Sequence, residues 1–340
     1  MRYVGADLHK KSITFCVVEV VSGGIVVRDR RRMLCREVQR LEAYLAAQGE
    51  YELVVETTIG YDWFAALAEK TAVRVRVAHA AKLRVIAEST RKTDKIDAYV
   101  LAELLAKDML VEAWRPSPRV RQHRSLIRRR CKIQSRITSI KNTMRAVLTR
   151  YNEDRVDLFT KAGREASLLL DLLGAERWLL EDLWADLDAN VARRDAIDDY
   201  LRRFALQAPL AEKEARAVLA TMPGLGPVTI ETVLAELGDW RRFRNASAVV
   251  SFAGLDPGVR QSDDRRRDLK LTKAGPPLLR WIMIQLAHRQ KKTARWSREF
   301  ERISKRAGKK KATCAIARRL LTVIYAMLRD GQAYKLPKAA

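Results

Sequence analysis

The predicted fold class is α/β in the N-terminal part of the chain and all-α beyond it, and three observations predict it. Residues 2–8, 12–21 and 24–29 are short runs rich in Val, Ile, Thr and Phe, separated by the turn-forming stretches 9–12 and 22–24. Apolar runs at 51–57 and 73–79 then alternate with helical patterns at 37–48, 61–71 and 94–107. After Pro118 the apolar residues keep helical spacing through most of the chain.

Taken in order, the first part reads β-β-β-α-β-α-β-α. Hairpin-forming strands followed by alternating helices and strands make a layered α/β domain, and this order is that of the RNase H-like fold. Trp114-Arg115-Pro116-Ser117-Pro118 breaks the pattern, with Pro118 suited to a first helical position. From Ala113 to Asn152 there is no acidic residue, but there are twelve Lys and Arg. Leu126, Ile133, Ile137, Ile140, Met144 and Leu148 recur there at helical spacing, which predicts one long basic helix over 119–150. A charge run is commonly just a solvated face. Twelve cations without a counter-charge repel one another, which favours a nucleic-acid backbone as their partner.

Residues 155–205 read as helices of mixed charge, with Leu168, Leu172, Trp178, Leu183 and Leu187 on an apolar, coiled-coil-like face. The second half opens on Met222-Pro223-Gly224-Leu225-Gly226-Pro227, a short turn feeding a helix. Free backbone N–H groups there suit a phosphate, which makes Gly224 and Gly226 candidate contacts; a tight interhelical turn is the plainer reading. A turn, helix and turn over 239–257 lead to a polar, Arg-rich loop, QSDDRRRDLKLTK, then a helix and a basic helical end. The domains expected are 1–155 including the basic helix, a helical, coiled-coil-like connection 156–212, a helical domain 213–300 with a helix-turn-helix-like opening, and a basic helical tail 301–340.

The charge balance limits the partners. Lys and Arg number 66 against 41 Asp and Glu, a net charge of +25 with a pI near 10.3. A charge of that size points to a polyanion. No basic amphipathic helix with an aromatic anchoring face favours a membrane surface, and no apolar run is long and uncharged enough to span one. The four cysteines are scattered and form no CxxC pair, which argues against a zinc ribbon or disulfide framework and fits a reducing cytosol. The first residues are not those of a signal peptide. Cytoplasmic location is the expectation.

Four acids carry the chemistry. Asp7 interrupts an apolar strand, where an ionised group is costly unless compensated. Glu56 closes the run Leu53-Val54-Val55, and Asp94 and Asp97 sit three apart at a helix start, on one face. Singly each reads as a cap or turn residue, and Asp94 suits a helix N-terminus. Together, two strand ends and a helix start at one edge suggest a magnesium site for phosphodiester chemistry, with two ions activating the attacking oxygen and stabilising the leaving one. The four histidines lack metal-ligand spacing, and no Walker loop indicates ATP use.

VGADLHK, VVETTIGYDW and KTDKIDAYVLAELLAKD resemble the three blocks of the DEDD transposases of the IS110 family of bacterial insertion sequences. MPGLGPVTIETVLAELGDWRRFRNASAVVSFAGLDP, QSDDRRRDLKLTKAGPPLLRW and KKKATCAIARRLL resemble that family's C-terminal transposase domain. The resemblance runs almost end to end. It implies a RuvC-like N-terminal domain in which Asp7, Glu56, Asp94 and Asp97 are the catalytic, magnesium-binding quartet. It further implies a catalytic serine after the GLDP turn, here Ser262. Relatives commonly have Gly after this serine, where this chain has Asp263 and Asp264.

The implied activity is DNA recombination through a covalent serine–DNA intermediate at a composite site shared between subunits. The implied partners are donor and target DNA and a structured bridge RNA that guides the choice of site. A homo-oligomer, dimer to tetramer, is implied as well. Backbone contacts are expected from Arg121, Arg124, Arg128, Arg129, Lys132, Arg136 and Lys141, from Arg265, Arg266 and Lys273, and from Lys309 and Lys310. The competing readings are a Holliday-junction-type resolvase that hydrolyses DNA with the carboxylates alone, and a non-catalytic nucleic-acid-binding protein.

Overall fold

The computed structural model describes residues 1–79, 94–262 and 265–335; the side chains of 94–96 and 259–270 lie outside the described residues. The chain divides into two compact units, Met1–Arg115 and Pro116–Ala340.

In the first unit, β1 (Arg2–Leu8), β2 (Ser12–Val21) and β3 (Gly24–Leu34) form an antiparallel meander. After α1 (Val38–Ala46), β4 (Tyr51–Glu56) joins the other edge of β1 in parallel. After α2 (Tyr61–Ala68), β5 (Arg74–Ala78) joins β4, also in parallel. The order β3-β2-β1-β4-β5 is that expected of an RNase H-like sheet.

Strand alternation sorts the two faces. Val4, Ala6 and Leu8 of β1, Ile13, Phe15 and Val17 of β2, and Leu53 and Val55 of β4 pack on Leu41, Leu45, Phe64 and Leu67 of α1 and α2. The residues between them face α3 (Asp94–Ala106), where Cys16, Val18 and Val54 meet Ala98, Leu101, Ala102 and Leu105. Gly5 is what lets α3 lie so close. A Cβ there would stand 2.1 Å from the Ala98 carbonyl oxygen and 2.6 Å from the Ala102 nitrogen. Arg76 secures the far edge, donating to Glu112 at 2.6 Å and to Asp108 at 2.7 Å.

The second unit begins with α4 (Pro118–Thr149), with Pro118 in the first turn and the Ser117 hydroxyl accepting from the Val120 N–H. After α5 (Lys161–Leu168), the long α6 (Gly174–Leu206) packs along α4. Ile133, Ile137, Ile140, Met144 and Leu148 meet Leu180, Trp184 and Leu187, as the apolar stripe predicts. Trp178 differs from its expected role on the apolar face: at 65% exposed it packs in no core.

The rest is helical: α7 (Leu210–Ala220), α8 (Pro227–Leu237), α9 (Ala246–Phe252), α10 (Pro277–Gln290), α11 (Ala294–Ala307) and α12 (Lys309–Asp330). The stretch read as basic and helical with a break at Gly308 forms α11 and α12, and Ile316, Ala317, Leu320, Leu321, Ile324 and Leu328 of α12 sit at the centre of the helical core. Its charged residues hid a buried stripe of 3.6-residue period. The segment read as an Arg-rich loop forms a hairpin, β6 (Pro257–Ser262) and β7 (Arg265–Leu271). Backbone pairing, which composition does not record, makes a two-stranded ribbon of a segment with few apolar residues.

Candidate active site and nucleic-acid surface

Asp7 lies near the end of β1 and is only 5% exposed. Alternation puts it with Gly5 on the α3 side of the sheet, because Val4, Ala6 and Leu8 fill the opposite core. Glu56 ends β4 and is half-buried, on the same side as Val54. The two parallel strands are in register through Ala6 and Val55, so Asp7 and Glu56 are the next residues on neighbouring strands.

The helix completes the edge. Ala98 and Ala102 of α3 pack in one cluster with Cys16 and Val18 of β2, and Ala98, near the helix start, rests on Gly5, two residues before Asp7. Asp97 is half-buried there, one residue before the Ala98 carbonyl that rests on Gly5. Asp94 begins the helix one turn earlier, and its side chain lies outside the described residues. The backbone thus sets Asp7 and Glu56 side by side on neighbouring strands and lays α3, which carries Asp94 and Asp97, against β1 at Gly5.

Two further side chains belong to this edge. His9, in the turn after β1, places Nε2 3.1 Å from Asp7 Oδ2. Thr14 stands opposite Asp7 on β2, with its hydroxyl buried and lacking a hydrogen-bond partner. Among the described residues no three His, Cys, Asp or Glu side chains lie close enough to hold a metal ion, and the Asp94 carboxylate is outside that set. In donor chemistry the edge fits a hard divalent cation: its ligand candidates are all oxygen donors, and a buried carboxylate stands beside an unsatisfied hydroxyl.

Ser262 ends β6, paired with Arg265 across the hairpin turn. Its side chain, those of Arg265 and Arg266, and residues 263–264 lie outside the described residues. The base of the hairpin is firmly held. Thr272 N–H donates to the Asp256 carbonyl at 2.9 Å, and Arg280 donates to the Ala253 and Gly275 carbonyls at 3.2 and 3.4 Å. Gly275 is required there, since a Cβ would fall 1.5 Å from the Phe252 carbonyl oxygen. Lys273 sits exposed at this base with a φ of 53°.

The basic helix is less free than its sequence suggests. Arg128 makes a two-pronged bond to Glu236, which is fully buried, at 2.7 and 2.8 Å. Arg124 donates to the Ala235 and Glu236 carbonyls, both at 2.9 Å. Arg136 reaches Asp186 at 3.2 Å, and Arg121 donates to the Pro116 carbonyl at 3.0 Å. Lys141 lies over the Phe159 ring, 4.3 Å from its centre. The counter-charges absent from 113–152 are therefore supplied by distant helices. In the fold Arg124 and Arg128 anchor this helix, capping the C-terminal carbonyls of α8 and neutralising its buried acid. Arg129 and Lys132 are exposed, with no charge partner among the described residues.

A second polar cluster ties the same helices. Arg216 and Arg119 share Glu212, and Arg216 also grips Glu231, which His123 Nε2 approaches to 2.7 Å. Burial alone would push the Glu231 carboxyl up; the contacts with His123 and Arg216 outweigh it and hold it at about 2.

The turn before α8 has Gly224 at a φ of 82°, with the Gln290 amide donating to the Pro223 carbonyl. A Cβ on Gly226, the residue before the helix, would meet nothing within 4 Å, so the helix start is sterically open. Lys309 and Lys310 are exposed in the first turn of α12, where cations oppose the helix dipole and a phosphate would relieve them. Sequence reasoning missed Gly5, Thr14, Glu236 and Arg280. Only Gly5 carried a signal, as a glycine inside a strand marks close backbone approach.

A sheet of this order with acids at one edge, joined in one chain to a basic helical unit, defines a class: the DEDD transposases and DNA recombinases with an RNase H-like domain. A DEDD transposase model of the IS110 type matches residues 4–153. A model described as Transposase IS116/IS110/IS902 family matches residues 216–302. Together they cover more than two thirds of the sequence, and the chain belongs to the IS110 family of transposases. The first match runs through α4, which packs within the second compact unit.

Similar proteins include the transposase for insertion sequence element IS1111A of Coxiella burnetii, 24% identical over 72% of this chain and 69% of that protein. The insertion element IS110 uncharacterized 43.6 kDa protein of Streptomyces coelicolor is 28% identical over 46% of this chain and 38% of its own length. The pilin gene-inverting protein of Moraxella bovis is 30% identical over 35% of this chain and 38% of its own length. The alignments thus span less than half of the latter two relatives. Among the described residues no helix is long and apolar enough to cross a membrane.

Proposed function

We propose that the chain is an RNA-guided DNA transposase that cuts and joins strands with the Asp7, Glu56, Asp94 and Asp97 carboxylates and the Ser262 hydroxyl. The convergence of the β1 end, the β4 end and the α3 start, fixed by the contact of Gly5 with Ala98, carries this reading. Magnesium, in one or two ions, would be held by the four carboxylates and would supply charge stabilisation at the reacting phosphate. The chain's own residues set the rest. The sheet edge would present the oxygen donors, and Ser262 would act from the end of β6, in a hairpin whose base is held by Arg280.

In the strand-cutting step the Ser262 Oγ bonds to phosphorus as one P–O bond to a sugar breaks. The serine proton leaves, and the departing sugar oxygen is protonated. Reversal onto another strand end regenerates the serine and joins the DNA. Serine and carboxylates would come from different copies in a dimer or tetramer, acting in the cytoplasm on donor and target DNA. A bridge RNA would pair with both DNAs. Arg129, Lys132, Lys309, Lys310 and the open start of α8 would hold nucleic-acid backbones without reading sequence.

The second reading, a resolvase working by hydrolysis, is separated by Ser262→Ala. The expected result is loss of the covalent protein–DNA adduct on denaturing gels and of strand joining, with folding unchanged. A variant that still joins strands would overturn the serine assignment, and cleavage without an adduct would favour hydrolysis. Guide dependence is read separately: recombination should vanish after RNase treatment and repurification and return on adding the element-derived RNA.

A further inference from the structure

We propose that Thr14 is a positioning residue for the Asp7 carboxylate, its hydroxyl kept unpaired in the fold so that it can orient Asp7 when a divalent cation binds. This rests on the carboxylate reading above. Thr14 is the third residue of β2, directly across the antiparallel pair from Asp7 and on the same, α3-facing side of the sheet. Directly opposed residues of such a pair hold their Cβ atoms about 5 Å apart, within reach of a hydroxyl and a carboxylate.

The neighbours show that the missing partner is particular to this position. Ser12, two residues earlier on the same face, takes Arg32 Nη2 at 3.1 Å and Nε at 3.3 Å. Cys16, two residues later, interacts with Arg30. Arg32 stands opposite Thr14 on β3 but gives its guanidinium to Ser12 instead. Thr14 is only 5% exposed, and its Oγ1 meets no hydrogen-bond partner among the described residues. A buried hydroxyl left unsatisfied costs stability that Val would not. A carboxylate turning toward a cation needs a donor to fix its orientation, as metal ligands generally do. Asp7 already receives His9 on Oδ2 from the exposed side, and Thr14 supplies a donor from the buried side.

The test compares Thr14→Val, Thr14→Ser and Asp7→Asn in the full chain, with Mg2+ alone as the probe. Divalent affinity is read from calorimetry and from the rise in melting temperature on adding Mg2+. Thr14→Val should melt no lower than wild type without Mg2+, bind Mg2+ roughly ten-fold more weakly, and need correspondingly more for strand cleavage. Thr14→Ser, which keeps the hydroxyl, should behave as wild type. Unchanged Mg2+ affinity in Thr14→Val, with affinity lost in Asp7→Asn, overturns this proposal alone. Affinity retained in Asp7→Asn overturns the carboxylate reading beneath it. A Thr14→Val protein that melts several degrees lower without Mg2+ also overturns the proposal, because the hydroxyl would then serve the fold.

Discussion

Asp7→Asn lowers Mg2+-dependent strand cleavage by more than about 100-fold, since groups that merely orient a metal ligand are already worth 10–100-fold. The substitution keeps shape and hydrogen-bonding capacity but removes the charge, and Asp7 is buried in a strand where a carboxylate has no role in packing. Without Mg2+ the variant should melt at or above the wild-type temperature, because a buried ionised group at a strand end is costly. The measurement is single-turnover cleavage of a labelled DNA substrate with the guide RNA present, beside a thermal melt. Undiminished cleavage would leave the four acids as structural residues and return the non-catalytic binding reading.

Gly5→Ala has an effect of comparable size by a different route. The added methyl group would meet the Ala98 carbonyl at 2.1 Å and the Ala102 nitrogen at 2.6 Å, and both are backbone atoms that no rotamer change can move aside. Helix α3 must lift from the sheet or the strand must bend, at a cost of about 3 kcal/mol or more. For a unit of this size that lowers the melting temperature by roughly 10 °C or more. Lifting α3 also displaces Asp97 and the helix start from the edge of β1 and β4. Cleavage should therefore fall even well below the melting temperature. A variant that melts within a degree or two of wild type would show that α3 does not rest on Gly5.

Much of the first unit was legible because each strand carries a period-2 pattern or a continuous apolar run, and each helix a 3.6-residue stripe. Asp7, Glu56 and Asp97 stood out as acids at element ends, and the structure brings those ends toward one edge. The hairpin of 257–271 was not legible, because its strands are stabilised by backbone pairing. The final stretch was legible as basic and helical, but not as core, because exposed Lys and Arg masked a fully buried stripe through Ile316, Leu320 and Ile324. The basic helix 118–149 shows the limit of charge counting. Its lack of local acids is real, yet Glu212, Glu236, Asp198 and Asp186 arrive from other helices to pair with it.

By itself the sequence determined the order of elements, the strongly positive charge and the family, because these are properties of residue type and spacing along the chain. Tertiary structure alone decided which cations are spent on the fold, how closely α3 approaches β1, and that Thr14 faces Asp7 with an unpaired hydroxyl. Those depend on which distant backbones meet, and a burial or an ion pair between residues a hundred positions apart leaves no periodic trace in either segment. The four carboxylates were visible as letters; the glycine that lets α3 rest on β1 became meaningful once the Ala98 carbonyl was seen against it.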